Sequence, residues 1–480
     1  MNAKKPMKRP PAWRRSPKIP TIRALCLAAG LLLPAAAWAQ KPMLSLAQAV
    51  ALARRNYPQV RESRQTAGAE RERARLARLS FLPQLQLYGQ ATRATANNLA
   101  GPLFFNPFPA VSGPVSLASG VGVWGQISGA EIAWEPYAFG RRRAGVASAR
   151  WAARGARERL QLTRLEAGTA AAAAFLSVLA ASKQVSVARA NVRRWRIVDR
   201  MVHGLVAAQL RPGSDASRAD AELAAAQMVA VRAQRVLARA RARLAVWLAR
   251  PGASWRLQTG GLISTLPPHP AWLRHLRLRR HPAMRTQADA VCSAMAHQRQ
   301  VARSALPRFY ALGAADARTG PGVATAPLLR GQYATAGNWA VGGSVQFSIT
   351  RWLRVQRRDA IARRQTRRQQ DISRRIHQRL TYAARKARAG WRAALTLAGI
   401  APRELDAAKT GEVQARARYQ AGLSSIVNLA AAEDILSQAQ GTAALAAIHA
   451  WAALLRRTYL YGHLRPFLHA VQTSYPQRKP

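Results

Sequence analysis

The chain has few of the residues that build catalytic, metal or disulfide sites. Its 480 residues include two cysteines, Cys26 and Cys292, which exclude a disulfide framework and a cysteine-based zinc cluster. Acidic residues number only 20 against 75 basic ones. The sequence has no phosphate-loop, nucleophile-elbow or paired-carboxylate pattern. We therefore predict no catalytic residue, no cofactor and no metal, and a protein that is not an enzyme.

The chain does have positive charge and apolar residues in quantity. Its formal net charge is +55, yet 49% of its residues are hydrophobic. A disordered polycation has a much smaller apolar share, so we expect the chain to fold. Aromatic residues are only 7%. Abundant alanine favours long helices with small-residue contacts over a large mixed core.

The first 39 residues have the pattern of an export signal. Eight basic residues and no acidic one accompany an apolar run from Ala24 to Ala37. This run of about 14 residues is too short to cross a bilayer, which needs about 20. We predict that 1–39 is a signal peptide cleaved after Ala39. The exported chain would then lie in the periplasm, outside the cell, or in an outer membrane crossed by strands.

The two halves of the chain repeat one pattern. Pro58 and Pro83 are 25 residues apart, as are Pro282 and Pro307, and each pair encloses a proline-free stretch that predicts a helix. We predict two homologous repeats, each with helix, strand, loop, strand, very long helix, turn and helix. The predicted bounds are 40–265 for the first repeat with a strand hairpin at 83–137, 266–465 for the second with a hairpin at 307–350, and 466–480 for a C-terminal tail.

The predicted strands and helices are unusually long. From Asn338 to Thr350, apolar residues such as Trp339 and Val341 alternate with polar ones, which indicates a half-buried or lipid-facing strand. Such strands are long enough to cross a bilayer when tilted. Proline-free stretches predict helices from Gly140 to about Ala208 and from Trp352 to Ile400. A helix of about 68 residues would be roughly 100 Å long, so we expect a rod.

Four segments resemble the TolC-type outer-membrane efflux and secretion family. Leu44 to Pro58 is similar to the family's entry into its first helix, and Trp134 to Arg143 to its strand-to-helix junction. Leu210 to Asp215 and Tyr419 to Leu423 resemble its two helical-hairpin tips, and 210 and 423 differ by an offset of 213. The second junction, Ile349 to Val355, lacks the proline and glycine of the family pattern.

The resemblance implies a membrane α+β fold. Each protomer of a homotrimer would give four strands to a shared outer-membrane β-barrel and its long helices to a periplasmic α-helical barrel. The implied location is the cell outer membrane with a periplasmic extension, in contact with outer-membrane lipid. The implied function is a passive exit duct of a tripartite efflux or type I secretion system, working with a periplasmic adaptor and an inner-membrane pump. A drug, a metal ion, a metabolite or a polypeptide would be compatible cargo.

The resemblance also implies which residues dock the adaptor. These are the residues of the two hairpin tips, namely Leu210, Arg211, Pro212, Gly213, Gly422, Leu423, Ser424 and Ser425. Asp215 and Asn428 are the candidates for a tunnel gate. Asp215 is also compatible with a helix cap after the Pro212-Gly213 turn.

Two other functions share parts of this pattern. A soluble periplasmic coiled-coil adaptor would have the helical pattern without lipid-facing strands. A basic nucleic-acid-binding protein could use the arginines from Arg357 to Arg379, but no interleaved aromatic residues offer a stacking platform, and we expect no nucleic-acid partner. His269, His275 and His281, spaced by six, do not share a helix face and predict no metal site. If arginines line the tunnel, they would favour anionic cargo.

Overall fold

The computed structural model describes residues 43–95, 122–252, 255–268, 276–318 and 336–474. The predicted signal peptide at 1–39 lies outside these residues, as do His269, His275 and the last six residues of the predicted tail. The helices of the described part are α1 (Leu46–Asn56), α2 (Pro58–Leu79), α3 (Arg141–Ala207), α4 (Gly213–Trp247), α5 (Pro282–Arg303), α6 (Ile349–Gln420), α7 (Ile426–Leu460) and α8 (Arg465–Thr473). Its strands are β1 (Met43–Leu44), β2 (Gln84–Thr95), β3 (Gly122–Trp134), β4 (Arg256–Leu257), β5 (Arg308–Arg318) and β6 (Ala336–Gln346).

Four strands form one antiparallel sheet with an apolar face and a mostly polar face. Their order is β2-β3-β5-β6, and residues opposite each other in register share a face. The apolar face carries Leu85, Leu87, Ile132, Trp134, Phe309, Trp339, Val341 and Val345. The polar face carries Gln84, Gln86, Tyr88, Glu131, Asp316, Asn338, Ser344 and Gln346. Trp339 and Val341 are each 80% exposed, so the described chain does not itself cover the apolar face.

The sheet has two open edges. β2 pairs only with β3, and β6 pairs only with β5, among the described strands. The outer backbone N–H and C=O groups of β2 and β6 therefore have no strand partner within the described chain. Such groups are costly in lipid, where water cannot satisfy them.

The two strand-to-helix junctions differ in length. Six residues join β3 to α3, and there Glu135 pairs with Arg141 at 2.5 Å and Arg142 at 3.1 Å. Gly140 has a φ of +74° and packs against Arg303, so a side chain would be both strained and crowded there.

At the second junction the predicted hairpin end at 350 is wrong. β6 ends at Gln346, and Ile349 and Thr350 already belong to α6. The reason is a helix cap, because the Ser348 hydroxyl accepts a hydrogen bond from the backbone N–H of Arg351 at 3.3 Å. Neither proline nor glycine is needed at this turn.

Two helices are rods of great length. α3 has 67 residues and α6 has 72, which correspond to about 100 and 108 Å. α6 runs on through Pro402, so the predicted end at Ile400 is wrong by 20 residues. α3 contains a stretch apolar enough to cross a membrane by length and composition, but 61% of that stretch is buried inside the protein. This burial fits a core helix.

The helices nearest the sheet keep the order of the strands. α3 packs between α2 and α5, and α5 packs against α6. α3 also packs against α4 and α7, and α7 against α6. The largest core lies among α1, α3, α7 and α8, and its fully buried side chains include Phe175, Trp451 and Phe467. The Trp451 indole N–H donates to the Thr265 carbonyl at 3.0 Å, which fixes the α4–α5 connection onto this core.

Candidate functional site: the helical-hairpin tips

The first hairpin tip is the turn between α3 and α4. The Leu210 N–H donates to the Leu205 carbonyl at 2.9 Å, and the Gln209 N–H donates to the Val206 carbonyl at 2.9 Å. This is the Schellman arrangement that ends many helices. Its left-handed position is held by Gln209, with a φ of +58°. The following Leu210 is 69% exposed at the end of the hairpin.

The second hairpin tip, between α6 and α7, has the same construction. The Leu423 N–H donates to the Arg418 carbonyl at 2.8 Å, and the Gly422 N–H donates to the Tyr419 carbonyl at 3.1 Å. Gly422 holds the left-handed position with a φ of +80°. Leu423 is 70% exposed. Each hairpin therefore ends in one exposed leucine, fixed by the same backbone bonds.

The two tips contact each other through Arg211. Its guanidinium donates to the backbone carbonyls of Tyr419, at 2.5 Å, and Ser424, at 3.2 Å, and lies 4.4 Å from the centre of the Tyr419 ring. The hydroxyl of Tyr419, which is fully buried, donates to Asp215 Oδ2 at 2.8 Å. Burial and the neighbouring Asp215 carboxylate raise the pKa of Tyr419 to about 12. Arg211 and Asp215 of the first hairpin thus hold one tyrosine of the second.

The structure brings only some of the predicted site residues together. Arg211, Asp215 and Ser424 meet at the contact between the tips. Exposed around this contact are Leu210, Pro212, Gly213, Gly422, Leu423, Ser425 and Asn428. Asp215 is in the first turn of α4, and its side chain does not cap the helix. Its carboxylate accepts from Tyr419, and the structure records no hydrogen bond between it and Asn428.

Sequence reasoning missed the role of Tyr419. The residue appears in the sequence only as part of the second tip segment. Its partners Arg211 and Asp215 are 208 and 204 residues away, so no local pattern connects them. A large aromatic residue one position before the end of a helix was the available signal.

A buried ionic cluster joins the two hairpins farther from the tips. Glu433, fully buried on α7, accepts from Arg194 of α3 and Arg416 of α6, each at 2.9 Å. Arg194 also donates to Gln440 Oε1 and Asn191 Oδ1, each at 2.9 Å. The cluster thus gives α3, α6 and α7 a common polar centre.

One arginine of the cluster serves two carboxylates. Arg416 pairs with Glu412 on α6 as well as with Glu433. Burial and the nearby Glu433 raise the pKa of Glu412.

Two of the histidines, His281 and His203, have different surroundings. His281 is buried, caps α5 by accepting from the Ala283 N–H at 3.2 Å, and stacks edge-on against Tyr459. Burial lowers the pKa of His281. His203 instead lies with Asp199 and Asp220, and these three are the group of metal-ligating side chains found in the described part of the chain. The prediction of no metal site did not foresee it, because Asp220 comes from a different helix.

Comparison with known proteins finds one matching family model and several similar folds. Residues 49–250 match the sequence model of the family described as outer membrane efflux protein. The fold is that of the Campylobacter jejuni CmeC outer membrane channel, with a TM-score of 0.72 at 12% identity over 90% of each chain. No curated protein is similar enough in sequence to match the chain.

Two further solved structures share the fold. The outer membrane protein VceC from Vibrio cholerae has a TM-score of 0.73 at 14% identity, over 87% of this chain and 96% of that one. The Neisseria gonorrhoeae MtrE outer membrane channel, in its open state, has a TM-score of 0.68 at 17% identity, over 87% and 88% of the chains.

Proposed function

We propose that this chain, which belongs to the outer membrane efflux protein family, forms a passive exit duct from the periplasm through the outer membrane. The observation that carries the proposal is a four-stranded sheet with one apolar and one polar face, continued by helices of 67 and 72 residues. The apolar face meets lipid and the polar face lines the duct. Energy comes from an inner-membrane pump, reached through a periplasmic adaptor.

The duct is proposed to be a homotrimer. The open edges of β2 and β6 are satisfied in lipid when β2 of one copy pairs with β6 of the next. Two copies would give eight strands, and the interior of such a barrel is just wide enough for side chains to fill. Three copies give twelve strands and a wider lumen. In the same assembly, α2 of one copy lies beside α6 of the next.

The adaptor is proposed to dock on the two tips. Leu210 and Leu423 present exposed apolar anchors, and Pro212, Gly213, Gly422 and Ser425 surround them. Covering exposed apolar side chains by a partner removes them from water, which favours docking. Arg211 and Ser424 hold the tips side by side, so both leucines are offered together. Asp215, bound by Tyr419, and Asn428 on α7 are the proposed gate residues.

Disulfide trapping tests the trimer. Gln86 on β2 and Ala340 on β6 share the polar face but are three strand spacings apart. That distance is about 14 Å, whereas a disulfide requires Cα atoms within about 7 Å. Cysteines at these two positions can therefore join only separate copies. In a Cys292→Ser background we expect covalent trimers on a non-reducing gel.

The register between copies is scanned in the same experiment. Ala340→Cys is combined in turn with cysteine at Gln84, Gln86, Tyr88 and Gln90, and each single cysteine variant is the control. Monomers throughout the scan would contradict the trimer. Recovery of the protein in the soluble periplasmic fraction without detergent would favour the coiled-coil adaptor instead.

Substitution at the second tip tests the docking claim. Gly422→Trp places a bulky side chain in the open space beside Leu423 at the tip, where it would keep the adaptor away, so we expect export to be lost. Gly422→Asn is the matched control, because asparagine tolerates this conformation. The measurement is cellular accumulation of a panel of dyes, drugs and metal ions, with the outer-membrane level of each variant checked by blotting. Normal export with Gly422→Trp would remove the docking claim.

A further inference from the structure

Three metal-ligating side chains meet on the α3–α4 hairpin, close to its tip. Asp199 and His203 are one turn apart on α3, and Asp220 reaches them from α4. His203 Nε2 lies 3.2 Å from Asp220 Oδ1 and 3.8 Å from Asp199 Oδ1. One ligand atom from each residue lies within 4.8 Å of the other two. His203 is four residues before the end of α3, about 6 Å of helix.

The two carboxylates pair with a histidine and with each other rather than with arginine. Basic residues outnumber acidic ones by 75 to 20, and most buried acids here pair with arginine. Within the described residues, Asp199 and Asp220 form no ion pair with arginine or lysine. Asp199 Oδ1 is shielded from solvent and accepts no hydrogen bond. The nearest cationic group to this oxygen is the His203 imidazole, whose Nε2 lies 3.8 Å away.

We propose that Asp199, His203 and Asp220 bind a divalent transition-metal cation such as Zn²⁺. Tetrahedral zinc holds nitrogen and oxygen ligands at about 2.0–2.2 Å, so neighbouring ligand atoms are about 3.3–3.6 Å apart. The two distances from His203 Nε2, 3.2 and 3.8 Å, bracket this range. The third distance, between the carboxylate oxygens of Asp199 and Asp220, shortens when the exposed Asp220 carboxylate rotates. The imidazole favours zinc-like ions over Mg²⁺ or Ca²⁺, which prefer oxygen ligands.

The surroundings leave room for a fourth ligand. The side chains of His203 and Asp220 are 50% and 61% exposed, so water completes the coordination. The bound ion would join α3 to α4 and stiffen the hairpin just behind Leu210. All three ligands belong to one chain, so binding does not depend on the proposed trimer, adaptor or cargo.

Metal binding by the full mature chain in detergent tests the proposal. Zn²⁺ is titrated against a chromogenic chelator, and Co²⁺ absorption reports the coordination geometry. We expect one ion per chain, with affinity lowered at least about tenfold in His203→Asn, Asp199→Asn and Asp220→Asn. His377→Asn is the matched control, because His377 is exposed on α6 and belongs to no such group.

Thermal unfolding gives a second readout that does not depend on the chelator. Zn²⁺ should raise the unfolding temperature of the wild type and of His377→Asn, but not of His203→Asn. Circular dichroism without metal checks that the variants fold. Affinity unchanged in all three site variants, or no stoichiometric binding at about 100 μM Zn²⁺, would overturn the proposal and leave an ordinary His–Asp ion pair.

Discussion

At the scale of single residues, the two hairpin tips differ most at their left-handed position. Gln209 has a φ of +58°, and Gly422 has a φ of +80° in the equivalent place. A side chain in this region costs roughly 1 kcal/mol, because Cβ approaches the following carbonyl oxygen, whereas glycine has no Cβ. The first tip therefore carries a strain that the second avoids.

Exchange of these residues should change stability in opposite directions. We expect Gln209→Gly to raise the free energy of unfolding by about 0.5–1 kcal/mol and Gly422→Gln to lower it by about 1 kcal/mol. The measurement is thermal unfolding followed by circular dichroism. Gln227→Gly is the control, because it places glycine inside α4 and should destabilise by about 1 kcal/mol. If Gln209→Gly destabilised the protein as Gln227→Gly does, the claim of backbone strain at Gln209 would be wrong.

The same positions show what the sequence could predict at this scale. An offset of 213 pairs Leu210 with Leu423, and both leucines occupy the same exposed turn position. The contact of Arg211 with Tyr419 could not be read in this way. It joins residues 208 apart and depends on how the two hairpins pack.

At the scale of elements, the sequence predicts the order of the helices and strands better than the residues at which they begin and end. Alternation identifies the strands, and proline-free stretches identify α3 and α6. Pro402 does not end α6, because the buried residues Ala398, Ala401 and Ala408 keep packing across it. Likewise Ser348 starts α6 where the alternating pattern still favours a strand. In both cases tertiary contacts or a cap decide between two compatible local structures.

The ionic cluster is an element-scale feature that the sequence does not reveal. Glu433 holds Arg194 and Arg416 from two other helices and has no exposed surface. Loss of Glu433 would leave two partly buried guanidinium groups without their main counter-charge, which is more costly than loss of a surface pair. Glu433 should therefore hold the two hairpins together.

Neutralising Glu433 tests this role. We expect Glu433→Gln to lower the free energy of unfolding by about 3 kcal/mol, because two partly buried guanidinium groups lose their shared carboxylate. Asp434→Asn, at the exposed neighbouring position, should change it by less than about 0.5 kcal/mol. Denaturation in guanidinium chloride measures both. Equal effects of the two variants would show that the cluster adds no stability.

At the scale of the whole molecule, the sheet and the helix layer each end at the same two sides, where the outermost strand and helix have no neighbour beyond them in the described chain. β2 and α2 form one side and β6 and α6 the other, since both layers follow one order. An assembly that pairs the strand edges therefore also brings α2 of one copy beside α6 of the next. One rotation closes both layers, which is why we propose a closed ring rather than an open chain of copies.

The long helix α6 carries a large share of the net charge. From Arg351 to Arg392, α6 carries 14 arginines and one lysine against two acids, Asp359 and Asp371. These acids pair with Arg363 and Arg374 on the same helix. Four other arginines of α6, together with Asp371 and Ile372, line a surface cavity of about 540 Å³, namely Arg364, Arg367, Arg368 and Arg375. If this face of α6 lines the proposed duct, its positive charge attracts anions.

The duct should therefore prefer anions over cations. In single-channel recording across a KCl gradient, we expect the reversal potential to shift from zero towards the equilibrium potential of chloride. The preference should weaken between 0.1 and 1 M salt, because the screening length falls from about 10 to 3 Å. Replacing the four cavity arginines by glutamine should reduce it at low salt. Cation selectivity at 0.1 M would mean that Glu131 and Asp316, on the polar face of the sheet, outweigh the arginines of α6.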